Sequence, residues 1–244
     1  MNTMHACYAC GALLCPVLAA LAGCWAPDAP MVQLAVLGGV LWLLFAAAPL
    51  GTAAGKAKVT DWSFLRSGYF WLLTALLFCQ NAAENGVTGW LVMYFKDSGI
   101  LTAAVSPYTA TLLWGATMTA RLLLAFVFSL KNPRRAMVIM AAGCVVFYFG
   151  LVMAKSQTPA LLLLLGFSLS IAGLNPTIVS HAGKMTSAAS MGIMLPVAGL
   201  GAILMPWVIG IIAQTVSLRI GMAVNVLPCV GMLVLASVLA VGDK

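Results

Sequence analysis

The stretch QNAAENGVTGWLVMYF, residues 80–95, places Gln80, Asn81, Glu84, Asn85 and Thr88 at spacings of three and four. Side chains so spaced share one face of a helix, so the five form a polar stripe, with Trp90 and Tyr94 further along. Amides and a carboxylate in such a stripe can line a polar cavity. Glu84 is the only one of the chain's five carboxylates that falls well inside an apolar run. A charge at the centre of a bilayer costs about 3 kcal/mol on insertion scales. Glu84 is therefore expected to face a bundle interior or a water-filled cavity. Two readings stand: the stripe lines a polar cavity, or it ties helices together. Interhelical polar contacts average only about 0.6 kcal/mol, and five polar residues are many for glue alone, which favours the cavity.

A second charge, Arg121, lies in WGATMTARLLLAFVF. It either pairs with Glu84 or reaches toward the inner membrane surface. At 1.5 Å per residue, Glu84 stands about 24 Å and Arg121 about 14 Å from the inner ends expected for their helices, so a direct pair has a gap to bridge. Trp114 precedes Arg121 by two turns. Asn175 sits beside Pro176, which removes one backbone hydrogen bond and frees a carbonyl. These residues make the candidate binding set: Gln80, Asn81, Glu84, Asn85, Trp90, Trp114 and Asn175, with Arg121 as a gating or structural charge.

Catalysis finds no support. GFSL holds Ser168, but the only downstream His is His181, thirteen residues later. A Ser–His dyad needs hydrogen-bond reach, which that spacing forbids within one straight helix. His181 reads instead as an interfacial residue. There is no phosphate-binding Gly-rich loop with Lys, no His-Glu-x-x-His and no paired carboxylate motif, so the chain reads as a non-enzyme with no cofactor. Cys7-x-x-Cys10 near His5 has no second pair to complete a metal site. Its cysteines, like the other five, read as small packing residues.

The elements that position these residues follow from the hydrophobic pattern. The chain is 63% hydrophobic, and seventeen charged side chains (12 basic, 5 acidic) cannot cover a soluble protein of 244 residues. Its mean hydropathy is +1.08. Eight apolar runs, at 5–24, 31–50, 68–95, 105–130, 136–154, 159–182, 188–214 and 218–241, are each long enough to cross a bilayer, which takes about 20 residues. The fold class is all-α: a polytopic helical membrane protein whose partner is the lipid bilayer. The seventh run, with Gly192, Ala198, Gly199, Gly201, Ala202, Pro196 and Pro206, suits either a gating helix or tight static packing. The longest polar connection, GTAAGKAKVTDWSFLRS (51–67), reads as a linker between two groups of helices.

The net charge of +7 belongs to loops rather than to a nucleic-acid site. Lys56, Lys58, Arg66, Lys131, Arg134, Arg135, Lys184 and Lys244 fall on one side, and Lys96, Lys155 and Arg219 on the other. Basic residues mark the cytoplasmic side. A multi-pass protein of the cell inner (plasma) membrane with both termini cytoplasmic is expected. Leu21-Ala22-Gly23-Cys24 resembles a lipoprotein cleavage site, but MNTMH lacks the basic start of a signal peptide, which favours a plain first helix.

Four stretches resemble the major facilitator superfamily, and most closely its fucose-permease-like branch. NAAENGVTGWLVMYF is similar to that branch's seventh helix, WGATMTARLLLAFVFSLKNPRR to its eighth and the following basic loop, GFSLSIAGLNPTIVS to its tenth, and GLGAILMPWVIGIIAQ to its eleventh. Ala120-Arg121 stands where the branch usually has Gly-Arg. The resemblance covers residues 65–244 well and 1–64 by position. It implies two helices trailing from an incomplete N-terminal bundle (1–50), a cytoplasmic linker (51–67) and a C-terminal six-helix bundle (68–244). About four helices of a missing N-terminal half would then be a partner. It further implies secondary transport of a sugar or similar small polar solute, often by symport with protons, through alternating access. The coupling carboxylates of that branch usually lie in the absent half. The rival readings are a truncated, non-transporting fragment and an eight-helix membrane scaffold, which would bury the polar stripe against its own helices.

Overall fold

The computed structural model describes residues 30–47, 62–127, 130–185 and 188–242. The expected first span, with His5, Cys7, Cys10 and the Leu21–Cys24 sequence, lies outside the described residues, as does most of the 51–67 linker. All regular structure among the described residues is helical: α1 Pro30–Ala47, α2 Gly68–Ser98, α3 Thr109–Phe126, α4 Pro133–Met153, α5 Gln157–Ala172, α6 Leu174–Met185, α7 Ala188–Thr215, α8 Leu218–Val224 and α9 Val226–Val241. Short 3-10 turns at Ser63–Arg66 and Ser106–Tyr108 lead into α2 and α3.

Helix starts follow local chemistry. The Ser67 hydroxyl accepts from Phe70 N at the head of α2, Asn132 from Arg135 N at α4, and Ser217 from Ile220 N at α8. Each satisfies a backbone donor that the first helical turn leaves orphaned. Pro133 at the first position of α4 loses no hydrogen bond there. α2 stops at Gly99, whose φ of 64° is the left-handed conformation that glycine adopts without steric cost.

Among the described residues, five segments are long and apolar enough to cross a membrane: Ser106–Phe126, Pro133–Met153, Gln157–Lys184, Ala189–Thr215 and Leu218–Val241. They coincide with the last five expected spans. Two of those spans are broken rather than straight. The sixth divides at Gly173 into α5 and α6, and the eighth at Asn225 into α8 and α9. α2 is not among the five, because its polar stripe dilutes its hydropathy. Yet its 31 residues make a rod of about 46 Å, longer than the roughly 30 Å hydrocarbon core.

α2 packs against α3, α6, α7, α8 and α9, most extensively against α7; α4 packs on α5 and α9, and α5 on α3. In lipid no water is expelled when helices meet, so packing and hydrogen bonds hold them. Small residues accordingly sit at the closest crossing. A Cβ on Gly201 of α7 would lie 2.3 Å from the Phe78 carbonyl oxygen of α2. Cys144 and Cys229 are buried, and both are free, as is the half-buried Cys79. They fill space, as expected from the sequence. Large apolar side chains such as Phe126, Ile139, Ile203, Trp207 and Leu227 are exposed, as are the described side chains of α1. Such a surface suits lipid.

Candidate functional site

The site grows from the middle of α2. Glu84 is 9% exposed and Gln80 fully buried, while Asn81, Asn85 and Thr88 are half-buried. Gln80 Nε2 donates to Glu84 Oε2, one turn away. Arg121, at 2% exposure, comes from α3, and its Nη2 donates to Glu84 Oε1 at 3.3 Å. The direct pair therefore forms. Helix ends were a poor guide to relative height, since α3 ends at Phe126 and α2 is long enough for overhang or tilt to take up the difference.

The other side of the guanidinium answers the question that Pro176 raises. Proline at 176 has no N–H to give the carbonyl of residue 172. That carbonyl, Ala172 O, instead accepts from Arg121 Nε at 3.0 Å. The helical ladder resumes with Thr177 N to Gly173 O at 3.1 Å. The α5–α6 break thus supplies a polar group at membrane depth, which is tolerated because the protein satisfies it.

Asn175, next to the break, donates through Nδ2 to Gln80 Oε1 at 2.8 Å and to Asn81 Oδ1 at 3.2 Å. Asn81 Nδ2 donates to Ala198 O of α7 at 3.0 Å. Glu84, Arg121, Gln80, Asn175 and Asn81 therefore form one connected network from α3 through α2 to α6 and α7.

The remaining candidates stand apart from it. Asn85 and Thr88 bond to carbonyls of their own helix, Asn81 O at 2.9 Å and Glu84 O at 2.7 Å. The expected single stripe is thus split. Gln80 and Glu84 are buried, whereas Asn81, Asn85 and Thr88 lie a step further round the helix and are only half-buried. Trp90 Nε1 donates to Pro206 O of α7 at 2.9 Å, and half-buried Trp114 packs against the apolar core. Both indoles hold helices in place. Ser168 Oγ donates to Leu164 O at 2.8 Å, and His181 Nε2 lies 2.7 Å from the Tyr69 hydroxyl, so each has its own partner.

Sequence reasoning missed Asn225 and Tyr148. Asn225, at the α8–α9 break, is fully buried and donates through Nδ2 to Ala83 O at 3.1 Å. The Tyr148 hydroxyl donates to Met222 O at 2.8 Å, satisfying a carbonyl beside the same break. A lone amide three residues before Pro228 in an apolar run was the available signal. Thr117 Oγ1, one turn before Arg121, and Asn225 Oδ1 are buried with no hydrogen-bond partner among the described residues. No group of three or more metal-ligating side chains occurs among them.

The network pairs one carboxylate with one guanidinium away from water and presents amide edges at its half-buried rim. No protein-family model matches the sequence, and neither a curated protein nor a solved structure matches it.

Proposed function

We propose that the chain is the C-terminal bundle and linker region of a secondary active transporter of the major facilitator type, moving a small polar solute, with sugars first in line. The observation that carries this reading is the Glu84–Arg121 pair at 3.3 Å, wired to Gln80, Asn81 and Asn175 in the interior of a bundle of long, largely apolar helices. Isolated buried pairs add little net stability, because desolvation offsets their attraction. Their retention at depth is better accounted for by a solute or ion pathway. The half-buried amides Asn81 and Asn175 form the rim of the network where hydroxyls would be held, with half-buried Asn85 one turn along α2 from Asn81. The broken α5–α6 rod and the proline-bearing α7 supply bending points. Alternating access needs a second bundle rocking against this one, a role we assign to the N-terminal half. The full reading has eight spans, with the linker and both termini in the cytoplasm.

The scaffold reading has one observation in its favour: Gln80, Glu84 and Arg121 are buried against the chain's own helices. Uptake of a panel of radiolabelled sugars into liposomes holding the purified protein separates the two. Transport that falls at least tenfold in Glu84→Gln, at equal amounts of inserted protein, supports the transporter. Uptake unchanged by that substitution rejects Glu84's role, and no uptake of any solute leaves the scaffold and the non-transporting fragment.

A further inference from the structure

Far from Glu84, at the end of the bundle opposite the Tyr69–His181 contact, a cavity of about 380 Å³ is lined by Tyr94, Asp97, Ser98, Ile100, Ala154, Lys155 and Arg219. Local structure builds it from three directions. The last turn of α2 gives Tyr94, Asp97 and Ser98. The left-handed turn at Gly99 brings Ile100 back over them. The α4–α5 connection contributes Ala154 and Lys155, and the start of α8 contributes Arg219. Thr102 N donates to Gln157 Oε1 at 3.3 Å, tying the loop after α2 to the head of α5, so that two walls are held together.

The chemistry of the lining is unusual for this chain. Two of its twelve basic residues and one of its five acidic ones converge here. Among the described residues, none of the three is in an ion pair; Arg121 with Glu84 is the pair that forms. Tyr94 is 1% exposed, and its hydroxyl has no hydrogen-bond partner there. A buried hydroxyl left unpaired is costly, and the residue that carries it lines a cavity shared with two cations.

We propose that this cavity binds a phosphate group carrying an ammonium arm, with Arg219, Lys155 and the Tyr94 hydroxyl on the phosphate oxygens and Asp97 on the ammonium. Guanidinium and ammonium groups are the side chains that recognise phosphate. A simple anion would leave the Asp97 carboxylate opposing it, whereas a phosphate–ammonium ligand uses all three charges. That chemistry occurs in a free phosphoethanolamine and in a phosphatidylethanolamine headgroup at the membrane surface. Binding at this cavity is independent of any transport activity.

The test uses the full chain purified in detergent free of phospholipid. Thermal melting is followed with added O-phosphoethanolamine, and native mass spectrometry compares retention of phosphatidylethanolamine with that of phosphatidylcholine, whose ammonium has no N–H. A saturable rise in Tm identifies a free solute; selective retention of phosphatidylethanolamine identifies a lipid headgroup. In whichever arm binds, the double variant Lys155→Gln/Arg219→Gln weakens binding at least tenfold, and Asp97→Asn weakens it severalfold. Tyr94→Phe weakens binding while leaving the Tm without ligand unchanged or higher, which a purely structural hydroxyl would not do. All three charged residues are exposed, so their variants keep the fold. Failure of both probes to bind, or binding by the double variant equal to wild type, overturns the site. Binding unchanged in Asp97→Asn overturns the ammonium assignment.

Discussion

Arg121 meets two obligations at once: it neutralises Glu84 and it satisfies Ala172 O. Removing it leaves a buried carboxylate without its counter-charge, held only by Gln80, and takes the Nε donor from a buried carbonyl. Breaking one partner of a buried pair costs about 3–5 kcal/mol. Arg121→Met is therefore expected to lower Tm sharply in detergent. The double variant Glu84→Gln/Arg121→Met should be more stable than Arg121→Met alone, because the uncompensated charge is gone; additive losses across that cycle would show that the two do not interact. At this scale Glu84 was legible as a buried charge from its setting alone. The pairing was not, because it depends on the relative height of two helices, which spacing within each does not define.

Elements meet through glycine and through broken helices. The crossing of α2 and α7 is set at Gly201, where a side chain would run into the Phe78 backbone. Overpacking of a well-packed contact typically costs about 1–3 kcal/mol, and backbone, unlike a side chain, cannot swing aside. Gly201→Val should lower Tm clearly. Gly199→Val should leave it near wild type, since a Cβ at that position would meet nothing within 4 Å. Equal effects at both positions would show that close approach is not what Gly201 provides. The α8–α9 break has a similar dependence on one donor. Tyr148→Phe leaves Met222 O without its hydrogen bond, an expected loss of about 1–3 kcal/mol, measurable as a lower Tm. Pro176 announced the first break in the sequence. The second was hidden, since Asn225 reads as one polar residue in an apolar run until its amide is seen on Ala83 O.

Over the whole molecule, an apolar outer surface encloses a polar network at depth, and basic residues gather at the ends. Placing Lys184 in the cytoplasm and Lys155 outside predicts opposite reactivity. In a chain with native cysteines replaced, Lys155→Cys should react with a membrane-impermeant maleimide on intact cells, and Lys184→Cys only after permeabilisation. The reverse pattern would invert the orientation. The two positions stand at opposite ends of the α5–α6 rod, so a single bilayer crossing by the Gln157–Lys184 segment is enough to separate them.

Composition and hydrophobic run length by themselves determined the all-helical class and the approximate bounds of the last five apolar spans, because both depend on how each short segment meets its solvent. The isolation of Glu84 among apolar residues likewise marked the centre of the network. Only the tertiary structure decided that Arg121 reaches Glu84, that Ala172 O is the carbonyl Pro176 releases to it, and that Asn81 and Asn175 join while Asn85 and Thr88 bond to their own helix. Those outcomes turn on tilt, relative height and helix breaks. They are properties of how rods pack against one another, which no periodicity along a single rod records.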